Sequence, residues 1–307
     1  MGVNRQTQLP GSLSKASNQT YGLIRRAPDG YLWNQAFSLW LFLSLFLYQL
    51  VITRLLPVTE KGIYELILTP ANVGVYLAAL GLESAGAVYI PRMLSEGGPG
   101  KALAVALRLI GIRLAAVLVI TVGVLWGLPV LARLLAMLAL PGASALAQSL
   151  GDPALLAHRA ALVGYVFGIG LANLLAALLT ALLRTRVIFV AGSLAQILTI
   201  ALAYLFVGPL HGGADSALTA LSLPNMLLAL VYIAALIYVL GTHPVEIGSK
   251  VAGPMLRLGL AAWVADLASE PLMKLLSIAQ LSLAVSPTHI AFFGIAFEMG
   301  HAAAYLF

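Results

Sequence analysis

Asp266, Glu270 and Lys274 recur every fourth residue within a largely apolar run, residues 255–283. A helix returns to the same face every 3.6 residues, so this spacing puts two carboxyls and one ammonium on one face. Two chemistries fit. Glu270 can bridge to Lys274 as a self-neutralised ladder, or the face can line a cavity that binds a coupling cation or an anionic head group. An ionisable group inside a bilayer costs about 2.5–3.5 kcal/mol on insertion scales, so such groups turn toward a protein interior or water.

Other polar residues within apolar runs carry paired readings of the same kind. Glu65, Asn72 and Glu83 fall on a second run, where Pro70 removes a helix hydrogen bond and frees a carbonyl. That supports either a cation site or a simple bend, and Glu83 can pair with Arg92. Arg54 closes the first run, where a guanidinium grips phosphate bidentately or anchors at the head groups. Arg108 and Arg113 stand in the same relation to the third run. Asn34, Gln35, Gln49, Asn173, Gln196 and Asn225 suit interhelical hydrogen bonds or sugar hydroxyls. The chain has no Cys, its His residues show no metal-ligand spacing, and it lacks a Gly-x-x-x-x-Gly-Lys loop. No metal, cofactor or nucleotide chemistry is therefore expected, and the chain is not read as an enzyme.

These groups must be positioned by membrane helices. Apolar residues make up 61% and charged residues 9% of the chain, with mean hydropathy +0.98, whereas a soluble protein has about a quarter of its residues charged. Gly30 to Thr53 is a stretch of 24 residues without a charge, enough to cross a bilayer that needs about 20. Similar runs predict an all-α bundle of eight spans near residues 30–56, 63–90, 112–132, 160–183, 187–208, 214–241, 255–283 and 289–307. Pro91–Gly111 and Arg133–Arg159 are the longest expected loops. With the amino terminus in the cytoplasm, the 17 basic residues divide 12 inside, four outside (Arg54, Lys61, Arg133, Arg159) and one, Lys274, within a span, which supports that orientation in the cytoplasmic membrane. The net charge of +6 follows from topology and gives no nucleic-acid patch.

An offset of 229 residues pairs Tyr64 with Phe293, Leu66 with Ile295, Tyr76 with Tyr305 and Leu77 with Leu306. Either apolar helices resemble one another by chance, or a six-helix unit starts to repeat. The second alternative divides the chain into a cytoplasmic tail (1–29), a six-helix N-terminal lobe (30–245) and the first two helices of a C-terminal lobe (246–307). The eighth run ends at Leu306–Phe307 without a polar flank, which reads as a fragment or truncated product.

Arg54-Leu-Leu-Pro-Val-Thr-Glu-Lys-Gly-Ile-Tyr64, then Leu80-Gly-Leu-Glu-Ser-Ala85 and Arg92, resembles the first helix hairpin of the polysaccharide flippases, in the multidrug/oligosaccharidyl-lipid/polysaccharide exporter superfamily. Leu256-Arg257-Leu258-Gly259 and Ala291-Phe292-Phe293 resemble the opening of that family's second half. Pro57 replaces the usual Gly, and Lys61 stands where an aromatic is common. The resemblance implies two six-helix lobes around a cationic cavity that accepts a polyprenyl-pyrophosphate-linked oligosaccharide. Under that reading the candidates for the pyrophosphate are Arg54, Arg113 and Lys274 and those for ion coupling Asp266, Glu270 and Glu298, with the bilayer and polysaccharide polymerase machinery as partners. Rival readings are a cation-coupled exporter of drugs or metabolites, a polyprenyl-using glycosyltransferase or polymerase, and an inactive truncated scaffold.

Overall fold

The computed structural model describes residues 11–137, 147–148, 150–151, 153–245, 252–268 and 270–304. Helices joined by short turns make up these residues, and no strand occurs among them: the fold is all-α. The first helix, α1 (Gly11–Leu55), begins well before the apolar crossing Gly30–Leu55, so the polar tail is continuous with it. Pro57 follows the helix and drives the residue before it out of helical geometry. With φ −54° and ψ 147°, Pro57 then introduces α2 (Val58–Ala79).

From the sequence, the second helix is expected to reach residue 90 and a loop to follow. Instead α2 stops at Leu80 and Gly81, both left-handed with φ 48° and 63°, a common way to end a helix. The chain resumes at once as α3 (Leu82–Val122), bent at Gly98, where φ is 78° and ψ −177°. The expected loop is helical, and Ala102, Leu103, Ala106 and Leu109 within it repeat at helical spacing and are all buried. A π turn over Gly123–Gly127 leads into α4 (Leu128–Met137).

After α5 (Pro153–Ala157) come α6 (Arg159–Ala181), α7 (Thr185–Val207) and α8 (Ala214–Leu240). These three long helices match the fourth, fifth and sixth expected spans closely. The seventh span is covered by α9 (Ala252–Ala268) and α10 (Glu270–Ala284), and the eighth by α11 (Pro287–Ala304). Among the described residues, five helical stretches are long and apolar enough to cross a membrane, one of them the 80 residues Val58–Met137. That length is several times the roughly 20 residues of one crossing, and the turn at Leu80–Gly81 and the bend at Gly98 divide it.

The helix α6 packs against α2, α3 and α8, and its Leu174, Leu175, Leu178 and Leu179 are fully buried. α1 lies against α7. Residues 252–304 dock on one side of this bundle, α9 along α3 and α2, and α10 and α11 along α2. At one end of the seam Gly81 meets Gly259 so closely that a Cβ on Gly81 would overlap the Gly259 carbonyl. Nearby, Trp263 Nε1 donates to the Tyr76 carbonyl at 2.7 Å.

Candidate functional site

Lys61 and Glu65 lie one turn apart on α2, with Lys61 Nζ 2.8 Å from Glu65 Oε1. The same ammonium donates to Gln49 Oε1 of α1 at 2.8 Å and sits 4.6 Å from the centre of the Tyr64 ring. Across the seam, α10 brings Lys274 Nζ to 3.6 Å from Glu65 Oε2 and 5.1 Å from the centre of the Phe297 ring of α11. Glu65 is 0%, Lys61 2% and Lys274 4% exposed. One carboxylate thus serves two ammoniums that come from opposite sides of a packing seam.

Neighbouring bonds hold this end of α2 in place. Tyr64 donates to the Tyr48 hydroxyl at 3.3 Å, and Tyr48 donates to the Ala217 carbonyl of α8 at 3.0 Å. Glu60 accepts from the Ala214 N–H at 3.0 Å, and a carboxylate at a helix start is stabilised by the exposed N–H groups there. Further along α2, Asn72 accepts from the Tyr165 hydroxyl of α6 at 2.6 Å. That amide therefore joins two helices, one of the two roles its sequence position suggests.

A second charge pair lies in α3. Arg113 is fully buried and donates through Nη2 to Glu83 Oε1, while its Nε and Nη1 have no protein partner. Glu83 therefore does not pair with Arg92, as the sequence suggests. Arg92 instead binds Glu96 at 2.9 Å on an exposed helix face, since the helix persists through the expected loop and brings the two one turn apart.

The three residues assigned to pyrophosphate are not brought together. Arg54 is exposed at the end of α1, Arg113 is held by Glu83, and Lys274 is held against Glu65. Glu65 stands 14 residues before the end of α2, so about 20 Å of helix separates it from the turn that precedes Glu83. Lys274 itself is buried. Of the two concavities described, one is bordered by Phe206, Leu210 and Asp215 and the other by Leu107 and Arg108, and neither includes the cluster. The side chains of Asp266, Glu270 and Glu298, and with them the expected ladder, lie outside the described residues.

Lys61 is the residue that sequence reasoning misplaced, since it is interior rather than in an outer turn. The signal lay in Pro57, which starts α2 early enough to put Lys61 and Glu65 in one helix at i, i+4. Nothing in the sequence places Lys274 beside them, because that contact depends on how residues 252–304 dock.

Apolar helices long enough to cross a bilayer, packed so that their charges pair inside, define a helical membrane protein. No protein-family model, curated protein or solved structure matches the chain.

Proposed function

We propose that the protein is a membrane transporter that flips a polyprenyl-pyrophosphate-linked oligosaccharide across the cytoplasmic membrane. The observation that carries the reading is the Lys61–Glu65–Lys274 cluster, which puts two cations and one anion inside apolar packing. Burying charge in such surroundings is costly, and charged residues within membrane helices commonly mark substrate or ion pathways. The flippase-like residues of the α1–α2 hairpin, from Arg54 to Tyr64, lead directly into this cluster. In the proposed cycle the seam between α2 and residues 270–304 parts, and both ammoniums meet the anionic head group while the lipid tail stays in the bilayer. A drug exporter on the same architecture would suit a predominantly acidic interior, whereas this cluster mixes both signs.

One rival rests on a specific observation: all three side chains are sealed, as a purely structural ion-pair lock in a non-transporting scaffold would be. Transfer of a fluorescent polyprenyl-pyrophosphate oligosaccharide between the leaflets of reconstituted vesicles separates the two. Transport predicts transfer by the unmodified chain and its loss in Lys61→Ala and Lys274→Ala at equal protein level. Absence of transfer by the unmodified chain favours the scaffold, and unchanged transfer in both variants removes the cluster from the proposal.

A further inference from the structure

We propose that the break at Leu80–Gly81 interrupts a single membrane crossing, and that the helix start it creates forms, with Arg113, an oxyanion site for a phosphate-bearing group. The site is distinct from the lysine cluster. The ligand class rests on the transport reading, whereas the site itself rests on geometry.

Contacts with α6 show that the chain keeps its direction across the break. A Cβ on Gly74 of α2 would lie 2.9 Å from Val166, and one on Gly86 of α3 would lie 2.9 Å from Leu178. Both pairs are 92 positions apart, so the interrupted segment advances beside α6 at the rate of a helix. The same two glycines face the returning arm of α3, with Ile120 at 3.9 Å and Leu109 at 3.5 Å from those Cβ positions, and Glu83 meets Arg113 between them. Residues 58–97 are therefore one interrupted rod, and the chain doubles back at Gly98. The same offset puts the break beside residues 172–173, close to the middle of the 23-residue crossing Arg159–Ala181. Leu80 adopts φ 48° there, a conformation that is costly for leucine and persists only where its surroundings impose it. α9 covers one side of the break, since a Cβ on Gly259 would lie 3.0 Å from the carbonyl oxygens of Leu80 and Gly81.

A helix start leaves its first N–H groups without helical acceptors and carries partial positive charge, which favours oxyanions. The Ala85 N–H donates to the Gly81 carbonyl at 3.0 Å, so the N–H groups of Leu82, Glu83 and Ser84 form the open start. Arg113 stands at this turn. It is 0% exposed and donates through Nη2 to Glu83, while Nε and Nη1 have no partner among the described residues. A guanidinium has five donors, so one carboxylate oxygen leaves most of its demand unmet. The other α3 carboxylate, Glu96, binds Arg92. On α9, Asp266 lies three positions past Trp263, which contacts Tyr76 of α2, and so on the far side of the break from Glu83.

Glu83 is 30% exposed, and a carboxylate at this depth turns to water rather than hydrocarbon. It thus marks a wet path to a buried guanidinium. When Glu83 turns outward along that path, Arg113 presents its two-donor edge beside the helix start, a pairing that matches phosphate oxygens. Half-helix starts near the bilayer midplane face anionic groups in this way in membrane transporters.

The chain has no Cys, so one introduced thiol reads the site. Ser84 is half-buried in the first turn of α3, and Ser84→Cys is expected to react with a small charged thiol reagent in membranes. Saturating inorganic pyrophosphate is expected to slow that reaction about tenfold. Arg113→Met should abolish the protection while the thiol still reacts. Glu83→Gln should strengthen it, because the ligand then supplies the missing counter-charge. Arg113→Lys keeps the charge without the fork and should retain only part of the protection, which separates recognition from a collapsed fold. Vesicles containing a polyprenyl-pyrophosphate lipid distinguish the source of the phosphate. Protection by either form supports the site, and protection by the lipid alone places entry in the bilayer. A thiol that does not react, no protection by either form, or equal protection in Arg113→Met overturns it. Protection without leaflet transfer keeps the site and discards the transport reading, and transfer without protection does the reverse.

Discussion

Glu65 and Gly294 touch across the seam, and a Cβ on Gly294 would lie 2.5 Å from the Glu65 carboxyl carbon. The two residues are also 229 positions apart, the offset that aligns Tyr64 with Phe293 and Leu66 with Ile295. At this one pair, positions aligned by that offset touch where α11 crosses the charged cluster. A glycine at 294 lets the carboxyl rest directly on the backbone of α11.

Gly294→Ala should consequently force either the helix or the carboxyl to move. The carboxyl is the end of a flexible side chain, but Lys61 and Lys274 hold it from two sides and it is fully buried. The expected loss is about 1–3 kcal/mol, as for other overpacked interiors, read as a lower thermal midpoint in detergent. Glu65→Asp, which withdraws the carboxyl by one methylene, should recover part of the loss. No recovery would mean that the clash lies elsewhere.

Two glycines, Gly98 within α3 and Gly81 just before it, separate backbone strain from docking. Gly98 has φ 78° and ψ −177°, and a Cβ there meets nothing within 4 Å. Gly98→Ala should therefore cost only the backbone penalty, of order 1–3 kcal/mol. It should leave unchanged the oxidative cross-linking of a Leu66→Cys/Ile290→Cys pair, whose positions belong to one buried cluster across the seam. Gly81 has φ 63°, and a Cβ would also collide with Gly259 of α9. Gly81→Ala should lower both stability and cross-linking. Equal cross-linking in the two variants would show that the Gly81–Gly259 contact does not set the seam.

Much of the bundle is legible in the sequence because hydrocarbon imposes a simple rule of about 20 uncharged residues per crossing. That rule finds α6, α7 and α8 almost to the residue. It fails between Pro91 and Gly111, where a stretch carrying Arg92, Glu96 and Lys101 resembles a loop by charge but buries Met93, Leu103, Ala106 and Leu109 as a helix. The site was half legible. Lys274 is conspicuous as a charge within a span, and local spacing offers Glu270, but its contact with Glu65 spans over 200 positions. Pairings between distant helices depend on docking, which a one-dimensional pattern does not encode.

The buried pair in α3 makes an asymmetric prediction. Glu83→Gln leaves the fully buried Arg113 guanidinium without its counter-ion, and removing one partner of a buried pair typically costs about 3–5 kcal/mol. Arg113→Met removes the buried charge itself and leaves Glu83, which is 30% exposed and can turn to solvent. Its expected cost is smaller, about 1 kcal/mol for the lost bond. Denaturation in detergent should rank Glu83→Gln below Arg113→Met, with the double variant close to Arg113→Met. The opposite ranking would mean that the guanidinium gains a different partner.

Two exposed valines test which surface meets lipid. Val119 is 69% exposed and lies within the 19 residues from Leu114 to Ala132 that carry no charge, beside exposed Leu118 and Trp126. Val88 is also exposed, but it precedes Arg92 and Glu96 on the arm of α3 that starts beyond the end of α2. If the first surface faces hydrocarbon, Val119→Lys incurs about 2.5–3.5 kcal/mol on insertion, less whatever the long side chain recovers by reaching the interface. Val88→Lys, near groups that are already charged and exposed, should incur little. The fraction of chain recovered in the membrane, or its accessibility in an insertion reporter, should fall several-fold for Val119→Lys alone. Equal insertion of the two variants would place the Val119 face against water or another polypeptide, and the path of α3 through the bilayer would have to be redrawn.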